Sequence, residues 1–273
     1  MENIFSFGPH EIAFTRMGKG DKVIFLHGWP TNSLLWKDQM QWVQHHYEAI
    51  AIDWLGFGKS DKPEDHTYTF SSKKEILDEW LNKLLGADEK VTLIAHDIGG
   101  PPAIMWTHQN QARVKQLVLL NTVLYPFSTP LDAMSHVYFK LPVFKQLIAS
   151  PFGQRSLLSS LMRNKFGRNG TQIREIIKRH GKRSTNLTMK TILEPVELGK
   201  SWEMTSMADK FSEMEIDRHL IVGKKDPLCY AHMRKMIEQQ PDIPLTLLEK
   251  SGHYIPLDDP LGLERALKEI LLP

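Results

Sequence analysis

Val91-Thr-Leu-Ile-Ala-His-Asp97-Ile-Gly-Gly100 is the stretch on which the reading of the fold turns. A run of apolar and β-branched residues passes into a polar pair and then into two glycines. That order reads as a buried strand, a tight turn and the start of a helix. A turn of the form Gly-x-nucleophile-x-Gly lifts one side chain above the end of a sheet. It needs small neighbours because the chain reverses in a crowded space. Ala95 and Gly99 hold the small positions here and Asp97 the centre. Asp accepts positive φ more readily than most residues, which suits that centre. An Asp that merely caps the following helix is the competing reading of the pentapeptide alone.

On either side of this stretch, further apolar runs lie at residues 23–26, 49–52, 117–120, 220–222 and 245–248, as at 91–95. Continuous apolar runs of this length suit parallel strands covered on both faces. Between them, 69–85 and 261–272 repeat apolar residues at helical spacing. Alternating strands and helices predict an α/β fold. The alternation stops between Val123 and about Lys200, where Pro142, Pro151, Gly153, Gly167 and Gly170 punctuate helical segments. The expected organisation is a core formed by 1–122 and 200–273, with 123–199 inserted as a helical cap.

Two more residues share the placement of Asp97. Asp226 follows the run at 220–222, and His253 follows the run at 245–248. Ligand and catalytic groups of open α/β sheets gather at the C-terminal ends of strands. The chain order nucleophile, acid, histidine is one that such sheets use for nucleophilic catalysis. The His27-Gly-Trp-Pro30 turn follows the run at 23–26. Its Trp29 N–H and the N–H of Ile98 are the expected oxyanion donors, and Pro30 has no N–H to offer. The glycine-rich Asp53–Pro63 stretch completes neither a phosphate-binding loop nor a dinucleotide fingerprint, since Asp53 and Asp61 occupy positions those patterns need as small residues.

Composition narrows the class further. The chain has 273 residues, 41% hydrophobic and 24% charged, which suffices for a sizeable core. A formal net charge of +2 does not point to nucleic acid or a membrane surface. A basic run between Arg163 and Arg183 reads first as a solvated helix face and second as a surface attracting anions. Cys229 is the single cysteine, so no intrachain disulfide is expected. Residues 1–10 carry Glu2 and no basic segment leading into an apolar run, so no secretory leader is expected there. Cytoplasm is the expected location. No cofactor and no metal are expected.

On the segments His27–Pro30, Asp53–Pro63 and His96–Gly99, the chain resembles the α/β-hydrolase superfamily. Within it, the resemblance is to the haloalkane dehalogenase and epoxide hydrolase branch, over about residues 10–122 and 200–273. The resemblance implies a mostly parallel sheet flanked by helices, with a helical cap. It implies that Asp97 attacks an sp³ carbon of a small apolar organic substrate. His253, oriented by Asp226, then activates water to hydrolyse the resulting ester. Some dehalogenases carry the triad acid where this chain has Asn121, which assigns the acid role to Asp226. Haloalkane dehalogenases usually follow the nucleophile with Trp, and here Ile98 stands there. Donors to the leaving group are then expected from Trp29, or from His136 and Tyr138 in the cap, with Tyr125 nearby. Three functions stay open: dehalogenation, epoxide hydrolysis, and ligand binding by a non-catalytic relative. The oligomeric state is not readable from the sequence.

Overall fold

A computed structural model describes residues 2–125, 143, 146–147, 150, 152–153, 156, 175–176, 178–179, 187, 190–191, 206–227 and 229–272. Its strands are β1 (Glu2–Phe7), β2 (His10–Met17), β3 (Lys22–Leu26), β4 (Glu48–Ile52), β5 (Val91–Asp97), β6 (Val114–Thr122), β7 (Asp217–Gly223) and β8 (Leu245–Leu248). They form one sheet in the order β1-β2-β4-β3-β5-β6-β7-β8. The β1–β2 and β2–β4 pairs are antiparallel, and every pair from β4 to β8 is parallel. The helices are α1 (Lys37–Val43), α2 (Phe70–Leu84), α3 (Gly100–Gln109), α4 (Met207–Ser212), α5 (Tyr230–Gln239), α6 (Ile255–Asp258) and α7 (Pro260–Leu271).

The apolar runs are continuous because each central strand feeds two cores. Side chains alternate between the faces of a strand. Ile24 and Leu26 of β3, Leu93 and Ala95 of β5, Leu117 and Leu119 of β6, and Leu220 and Val222 of β7 enter one core with α2 and α3. Val23, Phe25, Ile94, Val118, Leu120 and Ile221 enter the other, with α1 and α7. Helix α2 starts where Thr69 Oγ1 accepts the Ser72 N–H at 3.0 Å, a cap that contributes about 1 kcal/mol. It buries Ile76, Leu77, Trp80 and Leu81 on one stripe. In α7, Asp259 caps the Gly262 N–H at 2.9 Å and Pro260 opens the helix.

The run at 117–120 is the buried centre of a longer strand, Val114–Thr122. The β1–β2 hairpin at the sheet edge has no counterpart among the sequence-based expectations. Its residues face solvent on one side, so Ile12 and Phe14 are the only buried apolar positions in β2. The expected cap at 123–199 falls largely outside the described residues. Three of its described residues, Ile176, Arg179 and Lys190, bond to loops following β3 and β4. Asn32 Nδ2 donates to Ile176 O at 2.9 Å, Arg179 to Ser33 Oγ at 3.0 Å, and Lys190 to the carbonyls of Glu64 and His66 at 2.7 Å. No helix among the described residues is long and apolar enough to cross a membrane.

Candidate active site

Strand β5 delivers Asp97 at its last position, with φ 52°. Left-handed backbone at a residue with a Cβ costs roughly 1–2 kcal/mol, and it must be held by its surroundings. Three contacts do so. Thr122 Oγ1–H donates to Asp97 O at 2.6 Å. A Cβ on Gly99 would stand 2.8 Å from the carbonyl oxygens of Leu26 and His27, so only glycine lets α3 begin this close to β3. Gly28 lies against the Asp97 side chain itself, and a Cβ there would overlap the Asp97 Cβ and Oδ2.

That close approach sets the carboxylate in a backbone cradle. Asp97 Oδ2 accepts the Trp29 N–H at 2.8 Å, and the carboxylate also accepts the Ile98 N–H. The Trp29 loop is braced from behind. Tyr254 O–H donates to Trp29 O at 3.0 Å, and both the N–H and O–H of Thr31 donate to Gly28 O. His27 donates from Nδ1 to Gly28 O at 2.9 Å and accepts the Trp54 N–H on Nε2 at 3.1 Å. Both its ring nitrogens are thereby used in the neutral form, so His27 builds the turn and is no acid or base.

Three strand ends meet at the cradle. His253 Nδ1 lies 3.0 Å from Asp226 Oδ2, and its Nε2 lies 3.8 Å from Asp97 Oδ1. Asp226 is 3% exposed and His253 1%. Burial alone lowers the His253 pKa, but the charge and hydrogen bond of Asp226 and the charges of Asp97 and Asp258 outweigh it, leaving the imidazole raised above its usual value. Burial raises the Asp97 pKa, against the charge of His253 and the Ile98 and Trp29 N–H groups. The two carboxylates flank one imidazole, so Nδ1 carries a proton toward Asp226 and Nε2 faces Asp97.

Other sequence candidates divide clearly. Trp29 supplies the backbone N–H, and its indole Nε1 is shielded from solvent without a hydrogen-bond partner. The Tyr125 hydroxyl donates to Gln239 Oε1 in α5 and is committed there. His136 and Tyr138 lie outside the described residues. Asp53 is a turn residue, accepting the N–H groups of Ser33 at 2.7 Å and Lys59 at 2.8 Å. Among the described residues, Asp226, Cys229 and His253 form the one cluster with metal-ligand chemistry, their donor atoms lying within 4.8 Å of one another. Asp226 and His253 already satisfy each other within it.

Two residues around the site are not marked as site residues by the sequence. His96 and Asn121 are both fully buried and both hydrogen-bond to the carbonyl of His253. Their only sequence signal is position, beside Asp97 and near the end of the neighbouring strand.

Residues 21–260 match the alpha/beta hydrolase fold family. A cis-3-alkyl-4-alkyloxetan-2-one decarboxylase of Xanthomonas campestris pv. campestris is 36% identical over 114 residues, 39% of this chain and 38% of that protein. A haloalkane dehalogenase of Agrobacterium fabrum is 34% identical over 107 residues, 39% of this chain and 34% of that protein. The matches thus span little more than a third of these relatives. The epoxide hydrolase CorEH superposes with a TM-score of 0.81 over 100% of this chain and 99% of its own, at 19% identity, which establishes a shared fold.

Proposed function

Since the chain belongs to the alpha/beta hydrolase fold family, we propose that it is a hydrolase working through a covalent ester on Asp97. One observation carries this reading. Asp97 Oδ2 sits in the N–H cradle, 2.8 Å from Trp29 N, while Oδ1 lies 3.8 Å from the imidazole that would activate water. In the first step Oδ1 attacks an sp³ carbon, the carbon–leaving group bond breaks, and its electron pair departs with the leaving group. Oδ2 becomes the carbonyl oxygen of the ester without moving. In the second step His253 Nε2 takes a proton from water and the hydroxide adds to Cγ of Asp97. The negative charge then falls on Oδ2, where the Trp29 N–H already points, with the Ile98 N–H beside the same carboxyl group. Collapse expels the alkoxide, which takes the proton back from His253 and leaves as an alcohol. Asp97 releases its own proton to solvent. Asp226 holds the Nδ1–H throughout.

The first substrate reading is an alkyl halide. The Gly56–Pro63 run, the Agrobacterium relative and the buried Trp29 indole N–H support it. A second reading is favoured by Ile98, which brings no side-chain donor for a departing halide. In a strained oxygen ring the leaving oxygen stays tethered to the carbon skeleton. An epoxide is one such ring, and the oxetan-2-one of the Xanthomonas relative's name is another. For an epoxide, His136 or Tyr138 would protonate the opening oxygen. The substrate is taken to be small and apolar, with residues 123–199 as the cap that shapes its pocket and the cytoplasm as the location.

The test is intact mass spectrometry of His253→Ala incubated with a primary bromoalkane and, separately, a terminal epoxide. A stable adduct mapping to Asp97 is expected. Adducts on another residue, or none with any probe, would remove the mechanism. With the wild-type chain, halide release, diol formation and carbon dioxide release across a panel of halides, epoxides and oxetan-2-ones decide the substrate. Tight binding without turnover, unchanged by Asp97→Asn, would leave a ligand-binding protein.

A further inference from the structure

Asn121 is the penultimate residue of β6, next to the Thr122 that pairs with Asp97, and is fully buried with φ 36°. Its amide has two N–H donors and a carbonyl acceptor. The Nδ2 group donates to Gly252 O at 2.8 Å and to His253 O at 2.9 Å. The Oδ1 atom accepts the Gly223 N–H at 2.9 Å. Gly223 O in turn accepts the Asp226 N–H at 3.1 Å, closing the turn that carries the triad acid. One amide therefore ties the end of β6 to the Asp226 turn and to the His253 loop. The fit is close, since a Cβ on Gly223 would stand 3.0 Å from the Asn121 Nδ2.

The His253 carbonyl has a second donor. His96 Nε2 lies 2.9 Å from it, so Nε2 carries the proton and the ring is neutral. Burial and the charge of His253 both lower the His96 pKa, to about 3, which keeps the ring neutral. The other ring nitrogen, Nδ1, is buried with no hydrogen-bond partner. The fold accepts an unsatisfied nitrogen there while using Nε2–H on the carbonyl of the base.

We infer that Asn121 and His96 are positioning residues for His253, bracketing its carbonyl so that the imidazole stands where it can activate water on the Asp97 ester. The inference rests on the two-step reading above. Such a bracket has a consequence that a general structural role lacks. The attack of Asp97 does not use His253, so loosening the bracket slows hydrolysis of the ester and leaves its formation unchanged. An amide is required at 121 because a carboxylate has no N–H for the two carbonyls.

The test compares Asn121→Ala, Asn121→Asp, His96→Ala and His96→Gln, the last keeping a terminal N–H donor. In single-turnover reactions with a bromoalkane or epoxide that the wild-type chain turns over, the first three should accumulate the ester. Their hydrolysis should slow by about 10²-fold at unchanged ester formation, the loss expected for a displacement near 1 Å, and His96→Gln should recover part of it. A substrate-free readout is the low-field proton resonance of His253 Nδ1–H, which should shift or broaden in the same three. If no probe forms an ester even in His253→Ala, the two-step reading fails while this resonance still tests the bracket. If a 121 variant does not fold, the His96 pair carries the test. An unmoved resonance with unchanged hydrolysis overturns the inference. So does an equal loss in both steps.

Discussion

Asp97, last in β5, and Asn121, penultimate in the neighbouring parallel strand β6, are both buried and both have positive φ, the two non-glycine residues in that conformation among the described residues. Their side chains differ only by an oxygen in place of an NH₂ group. Asn121 has its acceptor and both donors engaged by backbone groups. Asp97 has Oδ2 engaged by the Trp29 N–H, while Oδ1 faces His253 at 3.8 Å. The same left-handed backbone thus carries an amide bonded on every side in one strand and a carboxylate facing an imidazole in the next. Strain at a strand end does not by itself announce which role a residue plays.

Exchanging the two chemistries tests this contrast most severely. Asp97→Asn should abolish ester formation, seen as the absence of any adduct by intact mass, because an amide is a poor nucleophile. Its effect on stability should run the other way. The folded-state pKa of Asp97 is raised, so folding favours its neutral form and stability falls as pH rises through that pKa. A neutral isostere should therefore hold or raise the melting temperature at pH 7. Asn121→Asp should do the reverse, placing a carboxylate against two carbonyl oxygens. Loss of about 3 kcal/mol or more is expected in denaturant unfolding. Equal stability of the two variants would break the contrast.

A smaller effect concerns pH. His253 must be neutral to accept a proton from water, and the charges of Asp226, Asp97 and Asp258 raise its pKa in the free protein. Esterification removes the Asp97 charge, so the imidazole of the intermediate titrates lower. Ester hydrolysis, followed after trapping at low pH, should lose rate on acidification only below the pH at which His253 titrates in the free protein by NMR. Coincident values would mean that Asp97 and His253 are not electrostatically coupled. The mildest prediction is Thr122→Val, which removes the donor to Asp97 O at 2.6 Å. Roughly 1 kcal/mol should be lost in thermal or denaturant unfolding, with both chemical steps retained.

Much of the fold is legible in the order of the residues. Runs such as 93–95 and 117–120 are apolar at every position, as a strand covered on both faces requires, and the two cores of the molecule divide them, whereas the similar run at 245–248 forms the half-exposed edge strand β8. The grouping of Asp97, Asp226 and His253 as one site follows from their shared position after such runs. The β1–β2 hairpin is hidden because an edge strand with one solvated face has mixed composition. His96 reads only as a neighbour of Asp97, and Asn121 only as a place where an acid is absent.

The strand–helix alternation, the elbow around Asp97 and the order of the three site residues need nothing beyond the amino-acid sequence, because they depend on local steric and hydrophobic patterning. The assembled fold was needed to set the Asp97 carboxylate on the Trp29 N–H, to require that Gly28 lack a side chain, and to bring Asn121 and His96 together on the carbonyl of His253. Those arrangements depend on hydrogen bonds between residues as far as 157 positions apart. No local pattern encodes such a pairing; it exists only once the strands have assembled side by side.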